Sequence, residues 1–426
     1  MKKLLSVLCV PLCVASVDAV ANGITINEQS VSAMGTAYAG RASSALDAST
    51  VFGNPAGMSK LKRAEVSGGL TLISAKTDIS DTESNRNPGT NKGDMVPLSG
   101  VPFGYYVTPL DDRWHFGIGL YAPTGIIGDY ESSFQGRSHA SFSKVVMVTL
   151  QPTLSYKFND RFSIGFGPTI SRVTGQLKSE LNTSALNRRL GGSGEMGVDV
   201  KGDDTTFGYN IGMMWDLSED LTWGLTYHSK TKINIKGRTE IKNSPGGMFD
   251  NRYGAKIDIT LPEVIDSSLT YRLNDRWTLH GGAAWTRWSR LETVKVVNDA
   301  PASSPFAISE EPLNWENTWS YSLGASYQLD KQWVFRAGYA YDASPTNNAK
   351  RNVRIPVSNR KIFAVGAGWS PNDDTTIDVA LAYIQESAGR VDAESRELSG
   401  IQIQPAYSAK FKSSAIGLGT QFTYRF

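Results

Sequence analysis

Residues Ala415–Phe426 read AIGLGTQFTYRF, and their parity decides the fold. Ile416, Leu418, Phe422, Tyr424 and Phe426 fall on one face of an extended chain. Ala415, Gly417, Gly419, Gln421, Thr423 and Arg425 fall on the other. Successive side chains of a strand point to opposite faces, so one face here is large and apolar and the other small or polar. The same period of two recurs upstream. Leu221, Trp223, Leu225 and Tyr227 alternate with Thr222, Gly224, Thr226 and His228. Phe207, Tyr209, Ile211, Met213 and Trp215 share a parity, and Trp333, Phe335, Ala337, Tyr339 and Tyr341 lie opposite Gln332, Arg336 and Gly338. A soluble β-sandwich alternates too, but it rarely places a Trp or Tyr at each strand end. A membrane barrel has a use for both features, because its apolar band faces lipid and aromatic rings sit at both interfaces. The 10 Trp, 17 Tyr, 16 Phe and 41 Gly of the chain fit that reading. The expected fold class is all-β, a transmembrane antiparallel β-barrel.

The connections give the strand number. Short polar turns occur at Asp111-Asp112-Arg113, Asn159-Asp160-Arg161, Ser218-Glu219-Asp220, Asn274-Asp275-Arg276, Asp330-Lys331 and Pro371-Asn372-Asp373-Asp374. Long polar connections alternate with them at Ser80–Asp94, Ile126–His139, Lys178–Thr205, Glu240–Arg252, Asn298–Pro312, Ala343–Arg360 and Glu386–Lys410. Six short turns and seven long loops join fourteen strands, the first over about Arg63–Ile79. Short periplasmic turns with long outer loops, and an even strand count, are the outer-membrane pattern. Both barrel ends then face the periplasm.

The chain opens with Lys2 and Lys3, an apolar run from Leu4 to Val17, and Ala19-Val20-Ala21. That order is a secretory signal peptide over residues 1–21, cleaved near Ala21. Cys9 and Cys13 both lie in it, so the mature chain has no cysteine for a disulfide, a thiolate nucleophile or a metal. No mature segment approaches 18 apolar residues, which excludes a spanning helix. The net charge of +2 gives no argument for nucleic acid. Residues 22–62 precede the barrel of residues 63–426 and start on the periplasmic side. They carry few charges, many small residues and Ile24, Ile26, Val31, Met34, Tyr38, Leu46 and Phe52. Fourteen strands enclose a lumen wider than side chains fill, so a compact segment of this size reads as a plug in it. Gly53-Asn54-Pro55-Ala56-Gly57 is the turn cluster where the plug folds back and hands over to the first strand.

Asn22–Gly40 (NGITINEQSVSAMGTAYAG) with Asn54–Gly57 (NPAG) resembles the N-terminal hatch of the FadL-type long-chain fatty-acid transporters. Leu261–Glu263 (LPE), Trp285–Ser289 (WTRWS), Arg336–Pro345 (RAGYAYDASP) and the terminal FTYRF resemble the same family, which includes toluene channels. The resemblance implies a fourteen-stranded barrel with a hatch that takes up fatty acids or other hydrophobic molecules. It implies surface capture by loops, a pocket beside the hatch, and sideways release where strand 3 is kinked. Pro123 and Gly125 are the residues that could break that strand, since proline cannot donate to a ladder and glycine permits a bend; Pro123 could equally end it. Asn54, Pro55, Ala56 and Gly57 are the gating candidates, on the hypothesis that a small shift of the plug around Asn54-Pro55-Ala56 lowers the affinity of the pocket. The basic residues that meet a ligand carboxylate in that family transfer poorly. Glu316 and Asn317 stand near the tenth strand, and Arg172 on the fifth has outward parity. Neutral hydrocarbons are therefore an alternative cargo.

Parity selects the remaining ligand-binding candidates. Arg336 and His115 face inward, as does His280, and Met147 and Val334 should line the pocket; Arg172 is carried as a candidate from the resemblance. Arg336 could meet a ligand carboxylate or a plug acid, Glu28 or Asp47, and the plug acid is the preferred partner. Enzyme readings find little support. There are four His, no G-x-S-x-G elbow, no metal-spaced His pair and no phosphate loop. A general porin or adhesin barrel is the other alternative, though a porin does not explain the plug. No cofactor and no metal are expected. The expected partners are a hydrophobic small molecule, outer-membrane lipid and lipopolysaccharide, and the barrel-assembly machinery during biogenesis, with the protein acting as a monomer in the bacterial outer membrane.

Overall fold

The structure, a computed structural model, describes residues 23–84, 87–191, 194–398 and 400–426. The expected leader, residues 1–21, lies outside them. Fourteen antiparallel strands close into a barrel. They are β1 (Glu65–Ser84), β2 (Ser99–Pro109), β3 (Trp114–Asp129), β4 (Phe142–Lys157), β5 (Phe162–Leu181) and β6 (Met196–Asp216). Each of the next four comes in two runs: β7 (Leu221–His228 and Thr231–Lys242), β8 (Asn251–Leu261 and Val264–Arg272), β9 (Trp277–Thr286 and Thr293–Asn298) and β10 (Ile308–Pro312 and Thr318–Gln328). Then follow β11 (Trp333–Asp342), β12 (Arg360–Asn372), β13 (Thr375–Glu386, continued by Gly389–Ala393) and β14 (Tyr407–Arg425). β14 pairs with β13 on one side and β1 on the other, Glu65 standing opposite Arg425, which closes the ring.

The alternation read from the sequence sorts the wall into two faces. Exposed large apolar residues such as Leu72, Phe166, Phe207, Leu323, Val365 and Ile416 form the outer band, as lipid requires. Trp114, Trp215, Trp277, Trp333 and Trp369 are exposed within a few residues of the short turns. Rings meet there in pairs, Trp114 with Tyr156 at 4.7 Å, Trp277 with Tyr327 at 4.8 Å and Trp333 with Trp369 at 6.0 Å, an aromatic girdle at one interface.

All six short turns fall where expected, but several loops are shorter than the sequence suggests because the strands run on. β1 extends to Ser84, β3 to Asp129 and β5 to Leu181, while β6 begins at Met196. Thus half of Lys178–Thr205 is strand, and within Glu386–Lys410 lie the end of β13, a small hairpin (Arg396–Leu398 with Ile401–Gln404) and the start of β14. Apolar alternation marks only the part of a strand that meets lipid. Above it the backbone ladder continues with polar side chains outside, such as Gln176 donating to Asp199 at 2.8 Å.

Residues 23–61 carry two short helices, α1 (Val31–Met34) and α2 (Thr50–Gly53), and a 3₁₀ turn over Pro55–Lys60. They touch strands right round the ring. Val31 N donates to Gln421 Oε1 (2.9 Å), Ala42 N to Ser268 Oγ (3.0 Å), Asn54 Nδ2 to Met213 O (2.9 Å), and Gln151 Nε2 donates to Val51 O (2.7 Å). Only an occupant of the lumen reaches β4, β6, β8 and β14 together. Ile26, Val31, Met34, Val51 and Met58 are buried against wall residues such as Ile73, Val101 and Tyr105. The segment does not start at the periplasmic end, as the sequence reading placed it. Ile24 lies high, against Gly125, and the chain descends to Lys60 and Arg63, which pair with Asp216 and with Asp374 at the short-turn rim.

Candidate functional site

The wall is built to receive the Asn54–Gly57 turn. Asn54 is extended (φ −160°), its Oδ1 accepts from Ala56 N at 3.0 Å, and Pro55 opens the 3₁₀ turn, where its missing N–H costs nothing. Asn54 Nδ2 donates to Ala42 O (2.6 Å) as well as to the wall, and Ser163 Oγ donates to Ala56 O (3.0 Å). Gly165 and Gly212 stand opposite each other on β5 and β6. A Cβ on Gly165 would lie 2.4 Å from Pro55 C, and one on Gly212 would lie 1.9 Å from Asn54 Oδ1. The inward glycines thus leave the volume that the turn occupies.

β3 passes through Pro123 rather than ending there. Its pairing with β4 slips between Tyr121 and Thr124, where Ala122 and Pro123 face a single residue, a β-bulge. Its pairing with β2 ends at Leu120 opposite Gly104, while Ser99–Phe103 of β2 continue along β1. The backbone groups freed at the bulge are satisfied from the lumen. Ile26 N donates to Pro123 O (2.9 Å) and Gly125 N to Ile24 O (3.0 Å). Gln29 Nε2 donates to Ala122 O (2.5 Å), and Ala122 N donates to Gln29 Oε1 (3.3 Å). The N-terminal segment therefore adds a short strand to the edge that β2 abandons.

Two adjoining chambers meet beside this contact. The inner one, about 160 Å³, is bordered by Tyr38, Phe52, Tyr121, Pro123, His228 and Trp288. The outer one, about 90 Å³, is almost wholly hydrocarbon, with Val145, Val173, Ile233, Ile257, Leu291 and Leu313 in its wall. Ile24, Thr124, Met147 and Leu261 border both. Strand breaks make these chambers. β7, β8, β9 and β10 are interrupted at a common height, and the breaks in β9 and β10 turn Trp288 and Trp315 inward, rings 5.0 Å apart and both buried. The sequence reading missed this pair. The available signal was Trp288 in WTRWS, a ring placed where strand alternation fails.

The cations that border the chambers are held. Arg41 Nε donates to Asp266 Oδ2 at 2.9 Å beside the inner chamber. Arg354, at the outer end, donates from Nη1 to Phe142 O (3.0 Å) and Ser143 Oγ (2.9 Å) and from Nη2 to His139 O (2.9 Å). Burial holds the His139 imidazole, in the outer loop, below its usual range. The ring is then neutral, and its Nε2–H donates to Pro405 O at 2.8 Å.

Of the candidates, Met147 borders both chambers. Arg172 does not: its parity turns it out of the wall, where it is exposed and bound to Asp203 and Thr205. Arg336 is inward and buried, but its partner is Asp378 of the wall at 2.6 Å, not Glu28 or Asp47. Those plug acids are placed elsewhere. Asp47 accepts from Ser32 Oγ (2.5 Å) and Gln421 Nε2 (2.7 Å), and Glu28 lies near Arg360, which is bound to Glu386. His115 is buried and Val334 half-buried, and neither borders a chamber. His280 joins Thr270 and Ser326 in a polar network.

A closed barrel with a lipid-facing band, its lumen occupied by its own chain and apolar chambers beside that chain, is the architecture of an outer-membrane transport protein. The chain belongs to the family described as "Outer membrane protein transport protein (OMPP1/FadL/TodX)", whose pattern matches residues 12–426. It is 27% identical to the long-chain fatty acid transport protein of Escherichia coli O6:H1 over 448 residues, covering 99% of this chain and 98% of that one. It is 27% identical to outer membrane protein P1 of Haemophilus influenzae, covering 89% of each. Among solved structures, a Pseudomonas aeruginosa FadL homologue superposes with a TM-score of 0.85 at 24% identity, covering 95% of this chain and 100% of that one. The Pseudomonas putida toluene transporter TodX superposes with a TM-score of 0.70 at 16% identity, covering 95% and 98%. Both structural likenesses concern the fold.

Proposed function

We propose that the protein carries long-chain fatty acids, or other hydrophobic molecules, passively across the outer membrane. The observation that carries this reading is the pair of adjoining chambers. An apolar surface runs from beneath the outer loops, through the hydrocarbon chamber, to the inner one and the β3 bulge. Water and surface polysaccharide exclude an apolar chain, and burying it in such a path is favourable at about 25 cal/mol per Å². Ligand enters at the loops, rests beside the N-terminal segment, which acts as a hatch, and leaves sideways between β2 and β3 when Ile24–Ile26 release the bulge. Asn54–Gly57 anchor the hatch while its start moves. The protein works as a single chain inserted by the barrel-assembly machinery, after its leader is removed near Ala21.

A second reading, a neutral hydrocarbon cargo, is favoured by one observation. Among the described residues the single Lys or Arg bordering the inner chamber is Arg41, and Asp266 already neutralises it. Uptake competition in cells decides between the two. Excess oleate should block uptake of a labelled fatty acid at least tenfold more effectively than an alkane of similar length; equal competition assigns the neutral cargo. Rapid entry of sugars into liposomes carrying the protein, without uptake of either, would overturn both readings.

A further inference from the structure

On the outer face of the wall, above the lipid-facing band of β4–β7, lies a concavity of about 540 Å³. Its floor is the backbone of Gly175, Gly202 and Gly237, which stand directly opposite one another on β5, β6 and β7. Its rim carries Lys144, Lys201, Lys236 and Arg238, with Asp203 as the one carboxylate. Register fixes the arrangement. Lys144, Gln176, Lys201 and Arg238 form one lateral row across four strands, each directly opposite the next.

This row sets like charges beside one another. Several other outward charges face opposite charges: Lys178 is opposite Asp199, Glu240 opposite Arg252, and Lys295 opposite both Asp258 and Glu310, although Asp199 is also opposite Glu240 and Arg390 opposite Lys410. Here Lys201 is opposite Arg238, and Lys236 stands between Lys256 on one side and Asp203 on the other. Like charges directly opposite are destabilising. Asp203 does not relieve them, because Arg172 holds it from below. Arg238 Nε is buried and has no hydrogen-bond partner. Among the described residues, Lys144, Lys236 and Arg238 make no ion pair within 4.0 Å. Lys201 reaches Asp199 at 4.0 Å; the other three rim cations around this backbone-floored hollow are left for an anion to satisfy.

Position identifies the anion. Down β4 from Lys144 on the same outward parity, Val146 is buried, Val148 half-buried and Leu150 exposed. Further down, Ile170 and Phe207 are exposed. Between the hollow and that hydrocarbon stand Thr174, Arg172, Asp203 and Thr205, so an occupant sits at head-group height with the exposed apolar wall below it. We propose that this hollow binds the phosphates of an outer-leaflet glycolipid of the lipid A type, whose acyl chains lie along β4–β6. Phosphate suits guanidinium and ammonium donors and bridges the opposed pairs Lys201–Arg238 and Lys236–Lys256. The site lies outside the lumen and is independent of the cargo that the chambers carry.

Binding of diphosphoryl lipid A to the detergent-solubilised full chain, followed by native mass spectrometry and thermal shift, tests the assignment. The wild type should bind it at least tenfold more tightly than the variant Lys144→Gln/Lys201→Gln/Lys236→Gln/Arg238→Gln, with the heat-modifiable gel shift of both showing intact barrels. Dephosphorylated lipid A should not distinguish the two proteins. A control variant, Lys361→Gln/Lys410→Gln/Lys412→Gln, removes charge on the far side of the ring and should bind like the wild type. Equal binding by wild type and the four-site variant overturns the proposal. So does an equal loss in the control, which would mean net charge alone. If inorganic phosphate at millimolar concentration displaces nothing and binds no differently to the two proteins, the glycolipid source stands; if it protects the wild type as fully as lipid A, the hollow is a free-phosphate site and the glycolipid assignment fails.

Discussion

Asp266 decides how the inner chamber treats a charged cargo. It holds Arg41, whose side chain borders the chamber, and both side chains are largely buried. Asp266→Asn keeps the shape and a hydrogen-bond acceptor but leaves the guanidinium free for a ligand carboxylate. A hydrogen bond to a charged group is worth about 1.5–3 kcal/mol. Fatty-acid affinity should therefore rise roughly tenfold to a hundredfold relative to an alkane, as measured by ligand retention on the purified protein. No change in the ratio would place the carboxylate elsewhere on the path. This pairing was not readable from sequence, because Arg41 and Asp266 are brought together only when the chain enters its own lumen. Parity did turn Arg336 inward, yet its partner Asp378 lies on a strand two places away, and strand neighbours beyond the next hairpin have no local signature. The Asn54–Gly57 turn was legible as a turn; the space that Gly165 and Gly212 leave for it was not, since a glycine in a strand carries no mark of what approaches it.

Among the elements, β3 is the one whose regularity is interrupted where function would need it. Pro123 and Gly125 flagged the place in the sequence, and the structure shows a bulge with its freed groups bound by Ile24, Ile26 and Gln29. Deleting Ala122 removes the extra residue, so β3 can pair continuously with β4 and the edge that receives Ile24–Ile26 is lost. Uptake of a labelled fatty acid should fall at least tenfold while the heat-modifiable shift shows a folded barrel. Unchanged uptake would move the exit away from β3. The breaks in β7–β10 escaped the sequence reading for the opposite reason. Each is only two to six residues long, and the apolar residues within them, such as Leu291 and Leu313, look like strand. What distinguishes them is direction, because they leave the wall and point into the chambers.

For the molecule as a whole, class and strand number were open to inspection because lipid imposes a period of two on every segment that crosses it. Strand lengths were not, since above the lipid the ladder persists after its apolar signature stops. The ring has a further property that follows from how it closes. β14 supplies the partner for both β1 and β13, and it is the last strand of the ring in chain order. Until Tyr407–Arg425 arrive, two strand borders stand bare, each a template for a neighbouring copy. Ribosomes that stop short of this keystone should yield aggregates, detectable by sedimentation after refolding, rather than a narrower thirteen-stranded pore. Closure of the ring thus hangs on one strand of nineteen residues, Tyr407–Arg425, whose absence leaves two open seams instead of one smaller circle.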